Sequence, residues 1–520
     1  MIVVCVLGEL NLMIVGKDGQ ICCRPTTDTF RKELDSLQNT FRKVVGPEEL
    51  VIDVPLVLEP ALWPDDCCIY RVPKKLREVN QEAYTPKLIS IGPLHHGKYE
   101  LCAMEMMKLR YLRRFCYRTR QSQKDLSSFI EENELKIRRC YAETFDISSE
   151  DFVKMVLLDS TFIIELFLRF AASDGHFRCT AACGECDSES SGEDGCNAIG
   201  KYEQDCFSSQ PIMKKHIQQD LILLENQLPF FILDELHTQF SKSEQNKCIS
   251  FLKLARKYLV PPEDKTSIDK KKVKHFTDLM RYVYCPSDLT YKKCPKPPEN
   301  ICNALMRNVC GLTNDEEPPK YIYNAKKLNE AMKLKKAKKG KLLDMKFQKG
   351  TPFPWLSCLP CLDGHKCLED TQTVLEVPCF EVHDETEGLF RNLMALEQCH
   401  YPSHTYICNY FVLLDDLINT REDVEFLVEK GIIVNGLGSN KAVAIMVNKL
   451  GLEIKEQTFY YECTVKKVNA YYKKTLNRDM GALRTIYFRD IWRGTATVVG
   501  VIVLLVTILN FLRPFVFTNI

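Results

Sequence analysis

An uncharged apolar segment near the C-terminus is the feature that most constrains this chain. Nineteen consecutive residues, Gly494 to Leu512, include no Asp, Glu, Lys or Arg. A helix of that length rises about 28 Å, close to the roughly 30 Å hydrocarbon core of a bilayer. The sequence therefore predicts one transmembrane helix with its ends at Gly494 and Leu512. A helix buried inside a soluble domain is the disfavoured alternative, because soluble helices this long normally carry a polar stripe.

The charges around this segment predict its orientation. One basic residue, Arg513, follows it, and six precede it, namely Lys473, Lys474, Arg478, Arg484, Arg489 and Arg493. By the positive-inside rule, the large N-terminal part lies in the cytosol and the last eight residues lie across the bilayer. The absence of any Asn-x-Ser/Thr acceptor and of a recognisable signal peptide favours the same topology. We therefore expect a single-pass, tail-anchored membrane protein, in either the plasma membrane or an endomembrane.

Composition limits the partners that this chain can bind. Lys plus Arg number 70 and Asp plus Glu number 69, so there is no overall positive field and no nucleic-acid partner is predicted. The 25 cysteines are scattered through apolar stretches, where a free cysteine behaves as a small hydrophobic residue. This scatter argues against a disulfide framework.

Helical periodicity dominates the rest of the chain. The stretch from Phe152 to Phe170 carries Lys154, Glu165 and Arg169 along one edge, which predicts a helix buried inside the soluble domain rather than in lipid. The other predicted helices are Met104–Arg118, Leu126–Tyr141, Ile212–Leu224, Phe230–Phe240, Lys247–Leu259, Glu387–Glu397, Tyr406–Ile418, Glu422–Glu429, Lys441–Leu450 and Phe459–Tyr472. Two short stretches, Leu342–Phe347 and Val374–Val382, are typical of strands. The predicted fold class is mainly α: a large helical domain with a small β element, plus one C-terminal transmembrane helix.

Several long phrases follow one another in a fixed order along this domain. They are CCIYRVPKKLREVNQEAYTPKLISIGPLHHG from Cys67, MVLLDSTFIIELFL from Met155, DLILLENQLPFFIL from Asp220, LLDMKF from Leu342, RNLMALEQCHYP from Arg391, NYFVLLDDLINTREDVEFLVEKGIIVNGLGS from Asn409 and FYYECTVKKVNAYY from Phe459. In these phrases the chain resembles the plant family called domain of unknown function 247, from about Cys67 to the C-terminus. The resemblance implies a land-plant origin, a C-terminal transmembrane helix and no assigned chemistry. Some grass members are associated with pollen and stigma self-incompatibility, but the family has no agreed functional residues to carry over.

The predicted organisation has three parts. Residues 1–66 form a variable N-terminal region, and residues 67–481 form the helical family domain. That domain departs from the family pattern by loop insertions near residues 173–210, which are rich in cysteine, and near residues 351–373. Residues 482–520 form a juxtamembrane segment and the anchor, 494–512.

Two cysteine clusters are candidates for zinc. The first has Cys183 and Cys186 in CxxC spacing, with Cys179, Cys196 and Cys206 nearby, and the second has Cys358 and Cys361 with His365 and Cys367. A zinc knuckle site pairs two such CxxC motifs, and neither cluster contains a second one. We therefore predict no metal site and no cofactor.

Two further groups of polar residues suggest chemistry but have structural explanations. His95 and His96 lie between Pro93 and Gly97, which predicts a turn, and adjacent histidines make a poor chelate. Glu225, Asn226 and Gln227 interrupt an apolar run before Pro229, where buried polar side chains that secure a helix end are expected.

One helix combines a charged pair with a Cys/His neighbour pair. Arg391 and Glu397 are predicted to be a buried charged pair whose loss would harm folding rather than a specific activity. Cys399 and His400 are adjacent, and neighbours on a helix do not face each other, so we do not predict a nucleophile. With no phosphate-binding loop or other catalytic motif present, no catalytic residue is predicted.

A lysine-rich segment is the remaining candidate for binding. Eleven lysines lie between Lys320 and Lys349, against Glu330 and Asp344, and such a segment could contact anionic lipid or simply face solvent. The sequence thus favours a non-enzymatic, membrane-anchored protein that binds the bilayer through its C-terminal helix and an unidentified protein through its helical domain, in recognition or signalling. The alternatives are a receptor-like protein with an extracellular domain and an enzyme of unrecognised type at a membrane surface.

Overall fold

A computed structural model describes residues 2–5, 12–15, 66–173, 210–240, 249–262, 264, 268, 272–285, 321–338, 341–350, 373–454, 459–473 and 491–516. The chain divides into two compact units, Met1–Leu58 and Glu59–Ile520. In the first unit, strands β1 (Ile2–Cys5) and β2 (Leu12–Val15) pair in antiparallel orientation, with Ile2 opposite Val15. This part of the apolar N-terminus therefore forms a hairpin.

The second unit begins with the helices around one buried central helix. They are α1 (Lys74–Val79), α2 (Cys102–Thr119), α3 (Gln123–Arg139), α4 (Ser149–Ser173), α5 (Pro211–Leu221), α6 (Phe230–Phe240), α7 (Phe251–Leu259) and α8 (Phe276–Tyr284). Helix α4 contacts α2, α3, α6 and α7. Its Phe167 packs 4.8 Å from the ring of Tyr258 and 5.8 Å from that of Phe251. The prediction that Phe152–Phe170 is a helix buried inside the helical domain is confirmed.

The remaining elements form the C-terminal half of this unit. They are α9 (Ala325–Ala331), β3 (Lys333–Lys336), β4 (Lys346–Gln348), β5 (Val374–Val377), β6 (Phe380–Val382), α10 (Thr386–His400), α11 (Tyr406–Leu417), α12 (Arg421–Glu429), β7 (Ile433–Asn435), α13 (Asn440–Leu450) and α14 (Glu462–Lys473). Helix α10 contacts α8, α11 and α13, with Phe390 packed 4.8 Å from the ring of Phe411. Thr420 and Asp423 form a capping box at the start of α12.

Two small sheets lie among these helices. One has the strand order β3-β5-β4, in which β3 is parallel and β4 antiparallel to β5, and the other pairs β6 with β7 in parallel. The predicted strand Val374–Val382 is two strands in different sheets. Pro378, which lacks a backbone N–H and cannot donate to a ladder, lies between them. The predicted strand Leu342–Phe347 is shorter and later, at Lys346–Gln348.

The predicted C-terminal helix is present as α15 (Ile491–Val516). Its side chains are described at Ala496 and from Val499 to Asn510, and all of these are exposed. The predicted ends of the membrane span, Gly494 and Leu512, lie outside the residues whose side chains are described. Within the described part of the chain, no helix is both long enough and apolar enough to cross a membrane.

Candidate functional site

A polar turn, residues 223–227 between α5 and α6, collects the first group of candidate side chains. Asn226 accepts a hydrogen bond through Oδ1 from the backbone N–H of Ile91 at 2.7 Å. Its Nδ2 donates to the carbonyl oxygens of Ile89 at 3.0 Å and Asp220 at 2.9 Å. Both N–H donors and the carbonyl oxygen of this buried amide are therefore bound to backbone groups.

Gln227 fixes the same turn from the other side. Its Nε2 donates to the carbonyl oxygens of Leu221 at 2.6 Å and Leu223 at 2.7 Å, at the C-terminal end of α5. Its Oε1 accepts from the backbone N–H of Phe276, at the start of α8, at 2.9 Å. The prediction that these polar residues secure a helix end is confirmed for Asn226 and Gln227, since unpaired carbonyl groups at a helix C-terminus need such donors.

Glu225 is the charged member of the polar turn. Its carboxylate accepts from the backbone N–H of Val72 at 2.6 Å and from Arg77, and it lies 3.3 Å from Nε2 of His95. Burial tends to raise the pKa of Glu225, but the hydrogen bonds from His95, Arg77 and Val72 outweigh it and hold the pKa below its ordinary value. Burial lowers the pKa of His95, so a neutral imidazole faces the carboxylate. Glu225 thus connects residues about 150 positions earlier to this turn.

The two adjacent histidines lie in different environments. His95 is buried, whereas His96 is exposed, and the backbone N–H of His96 donates to the carbonyl oxygen of Pro93 at 3.3 Å. The predicted turn at this position is confirmed. The two rings do not share a ligand, because one faces Glu225 and the other faces solvent.

A buried ion pair lies beside the polar turn. Lys108 Nζ is 2.6 Å from Asp159 Oδ1 and donates to the carbonyl oxygen of Ser90 at 2.7 Å and to Glu105 Oε1 at 2.6 Å. Asp159 Oδ2 accepts from the backbone N–H of Gly92 at 2.8 Å. Burial opposes the charge on Lys108, but the carboxylates of Asp159 and Glu105 raise its pKa above the ordinary value. An ammonium held charged by three acceptors is unsuited to act as a nucleophilic amine.

The second group of candidates lies on α10, and here one prediction is wrong. Glu397 does not pair with Arg391. Its Oε1 lies 3.0 Å from Nε of Arg281 on α8, and its Oε2 accepts from the backbone N–H groups of Ile407 at 2.8 Å and Cys408 at 3.0 Å. Arg391 pairs instead with Glu387, one turn earlier, at 2.8 Å. Residues six apart lie on different faces of a helix, whereas residues four apart share one.

Arg281 completes the cluster around Glu397. Its Nη2 donates to the carbonyl oxygen of His404 at 2.7 Å, and its guanidinium lies 4.0 Å from the ring centre of Tyr401. Burial opposes the charge on Arg281, but the carboxylate of Glu397 raises its pKa. The pair therefore joins α8, α10 and the start of α11 through charge-assisted hydrogen bonds.

Cys399 and His400 lack the electrostatics of a catalytic pair. Burial raises the pKa of Cys399 to about 12 and lowers the pKa of His400 to about 4. A thiolate nucleophile requires the opposite shifts. His400 Nδ1 lies 2.9 Å from the hydroxyl of Tyr70, which also donates to the carbonyl oxygen of Cys67 at 3.1 Å. This arrangement joins the end of α10 to the extended segment that precedes α1.

His275, which the sequence did not single out, is buried in one neutral tautomer. Its Nδ1 accepts from the backbone N–H of Asp278 at 3.4 Å and caps α8, while its Nε2 lies 3.0 Å from the carbonyl oxygen of Cys68 and donates to it. Burial lowers the pKa of His275 to about 3, and nearby His400 lowers it further. A second proton, on Nδ1, would oppose the N–H of Asp278 directly.

We predict that His275→Asn reduces the acid sensitivity of folding. An unfolded histidine has a pKa of about 6.5, so below that pH the unfolded chain binds the proton that the folded chain refuses, and stability falls as the pH drops. Between about pH 7 and pH 5 this group alone lowers the free energy of unfolding by about 2 kcal/mol. Asn retains a capping oxygen but does not titrate, so urea unfolding at the two pH values should show a drop smaller by that amount. His96→Asn, at an exposed position, is the matched control, and an unchanged drop in His275→Asn would contradict the assignment.

The residues that make these contacts lie along nearly the whole helical domain. This is also the part of the chain that is similar to known proteins. The DUF247 family, described as a plant protein of unknown function, matches residues 69–506. The chain belongs to this family. It is 26% identical over 472 residues to the UPF0481 protein At3g47200 of Arabidopsis thaliana, covering 88% of each chain. It is 23% identical over 504 residues to the putative UPF0481 protein At3g02645 of the same plant, covering 85% of this chain and 89% of that one. No solved structure matches.

The zinc candidates of this DUF247 chain lie outside the described residues, and so do residues 174–209 and 351–372 of the two predicted loop insertions. Among the residues that are described, no group of three or more His, Cys, Asp or Glu side chains could hold a metal ion. The absence of a metal site therefore stays a prediction.

The lysine-rich segment of this DUF247 chain is partly ordered into α9, β3 and β4. Lys341 turns inward, where Nζ donates to the carbonyl oxygens of Cys285 at 2.7 Å and Tyr282 at 3.3 Å, and burial lowers its pKa. Six described lysines of the segment are exposed: Lys326, Lys327, Lys336, Lys338, Lys346 and Lys349. The segment thus combines one structural lysine with an exposed basic surface.

Proposed function

We propose that this DUF247 protein is a non-enzymatic, membrane-anchored interaction protein whose helical domain binds another protein, in recognition or signalling. The observation that carries the proposal is the apolar surface of α15. Its described side chains are exposed to between 44% and 67% at Val499, Val501, Ile502, Val503, Leu504, Leu505, Val506, Ile508 and Leu509. So many adjacent apolar side chains are unfavourable in water and favourable in lipid. The proposed membrane span, Gly494 to Leu512, is inferred from the sequence.

The geometry of the buried polar groups supports a non-enzymatic role. Glu225, Asn226, Gln227 and Glu397 bind backbone groups of distant segments, and Lys108 is held by acceptors. A catalytic group needs a free acceptor, donor or lone pair aimed at the substrate. Asn226, Gln227, Glu397 and Lys108 direct theirs at the protein itself, and the second carboxylate oxygen of Glu225 faces His95, so we assign them to the architecture of the domain.

The basic residues before α15 support a cytosolic domain, and topology mapping tests the proposal. We predict that a glycosylation acceptor in a spacer after Ile520 is modified in microsomes, whereas one introduced into the loop at residues 188–195 is not. The unmodified chain has no acceptor of its own, so each introduced site is read against a zero background. Resistance to alkaline extraction is the second readout. Modification of the loop but not the tail would place the domain outside the cytosol, and extraction of the chain would exclude an anchor.

A further inference from the structure

Two positions of the lysine-rich segment, Lys335 and Lys346, are brought together by the three-stranded sheet. Lys335 on β3 and Lys346 on β4 both lie opposite Glu376 on the central strand. The positions of Lys335 and Lys346 are therefore two strands apart, about 10 Å, although ten residues separate them in the chain. Leu334 and Leu375, one position along, are buried, so the lysine positions belong to the outward side of the sheet. We call the six exposed lysines named above the lysine face; Lys346 lies on this outward side of the sheet, and the other five lie on α9, at the end of β3 or beyond the strands.

The lysine-rich segment is basic, and the sheet places one carboxylate from outside it, Glu376 of β5, between Lys335 and Lys346. Residues 321–350 contain nine lysines within the described positions and only two acidic residues, Glu330 and Asp344. The overall charge of the chain is nearly balanced, with 70 basic and 69 acidic residues, so this surface concentrates positive charge locally. Lysines act as hydrated point charges and do not require the planar fork that arginine offers, and residues 321–350 contain no arginine. This composition suits a diffuse anionic surface better than a shaped pocket.

The chain leaves the folded domain beside the lysine face. Helix α14 packs there through its last turn: the ring centroid of Tyr471 lies 6.1 Å from that of Phe347, and that of Tyr472 lies 4.4 Å from that of Tyr323. Seventeen residues then separate Lys473 from Ile491, the first residue of α15. Such a segment reaches at most about 60 Å. It also carries Lys474, Arg478, Arg484 and Arg489, against Asp479 and Asp490. The contacts of α14 and the continuing positive charge favour the lysine-rich segment as the part of the domain that faces the surface that α15 enters.

We propose that the lysine face binds the anionic headgroups of the membrane that holds α15. This inference rests on the proposed function, because it requires that α15 anchors the chain in a membrane. It adds the side of the helical domain that contacts the bilayer. Each lysine near an anionic surface strengthens binding about fivefold, and the effect decays within a Debye length of about 10 Å. A face two strands wide lies within that distance of a flat membrane.

Three full-length variants separate this inference from the anchor. The first, Leu504→Asp with Leu505→Asp, places two charges at the centre of α15 and so abolishes insertion while leaving the lysine face intact. The second adds Lys336→Glu, Lys338→Glu, Lys346→Glu and Lys349→Glu. The third instead adds Lys75→Glu, Lys98→Glu, Lys124→Glu and Lys253→Glu, which are exposed lysines elsewhere and give the same change in net charge. Circular dichroism and melting temperature establish that all three are folded.

Flotation with vesicles is the measurement. We expect the first variant to bind phosphatidylcholine vesicles that contain about 30% phosphatidylserine, and not pure phosphatidylcholine vesicles, with binding lost in about 0.5 M NaCl. The lysine-face changes should weaken the partition coefficient by at least about 100-fold, and the control changes by less than about threefold. Equal weakening by both sets of changes, or no binding by the first variant, would overturn the lysine face. So would tighter, lysine-face-dependent binding to a single-stranded RNA probe. The wild-type chain tests the anchor independently, because its resistance to alkaline extraction does not require the lysine face.

Discussion

Replacing Glu397 by Ala should destabilise the domain by about 3 to 5 kcal/mol, the range for breaking a buried ion pair from one side. Two effects combine. Arg281 is left charged and buried without its carboxylate, and the backbone N–H groups of Ile407 and Cys408 lose their acceptor at the start of α11. Urea unfolding followed by circular dichroism measures the loss directly. With a typical stability of 5 to 15 kcal/mol, this loss removes between about a fifth and all of the free energy of unfolding.

Glu143→Ala is the matched control, because it breaks an exposed pair with Arg71 at 2.6 Å and should change the free energy of unfolding by no more than about 1 kcal/mol. Glu397→Gln distinguishes the two effects further. Its amide oxygen can still accept from one N–H group, so we expect an intermediate loss. If Glu397→Ala unfolds at the same urea concentration as the wild type but abolishes a biological response, Glu397 belongs to a binding site and the architectural assignment is wrong.

The pairing of Glu397 also shows where sequence reasoning stops. Periodicity correctly predicted that the helix containing Glu397 is largely buried, since apolar residues recur at helical spacing. It could not identify Arg281 as the partner, because 116 residues separate the two. Helix α8, which carries Arg281, was itself missed: it has nine residues, begins at the unusual cap His275 and lacks a long apolar repeat. Arg391 was then the nearest available cation in the sequence.

Local chemistry, by contrast, predicted several elements well. Helix α6 has the predicted bounds, Phe230–Phe240, because Pro229 fixes its start and an apolar run follows. The capping box of Thr420 and Asp423 is likewise a signal carried within four residues. The strands β3 and β7 were not predicted, because they lack such a local signal. The sequence of β3, KLKK, is typical of a solvated charged segment, and only its pairing with β5 makes it a strand.

The polar turn has some contacts that are local in the sequence and others that are made with distant segments. Its role at the end of α5 could be predicted, since Gln227 contacts carbonyl groups only four and six residues away. The contacts of Glu225 with Val72 and Arg77 and of Asn226 with Ile91 could not, because they depend on how the N-terminal segments return to this turn. The sequence motif therefore predicts a cluster of buried polar side chains, but it does not predict which distant segments those side chains bind.

Gly92→Ala should destabilise that junction by about 2 to 5 kcal/mol. Gly92 has a φ of +71°, a left-handed conformation that costs a residue with a Cβ about 1 to 2 kcal/mol. A Cβ there would also lie 2.4 Å from the carbonyl oxygen of Gln227 and 3.0 Å from the hydroxyl of Tyr141. Those two atoms already belong to one hydrogen bond of 2.8 Å, and the N–H of Gly92 donates to Asp159, so the crowded groups cannot move independently. Overpacking of this kind adds about 1 to 3 kcal/mol.

Gly97→Ala isolates the second effect. Gly97 has a similar φ of +77°, but a Cβ at that position would meet nothing within 4 Å. Its substitution should therefore cost only the conformational part, about 1 to 2 kcal/mol. The difference between the two variants in the midpoint of urea unfolding measures the close approach of the segment around Gly92 to the polar turn. Equal losses of stability in the two variants would mean that the segment around Gly92 packs less closely against the polar turn in solution. The polar turn would then have room for a group other than this segment.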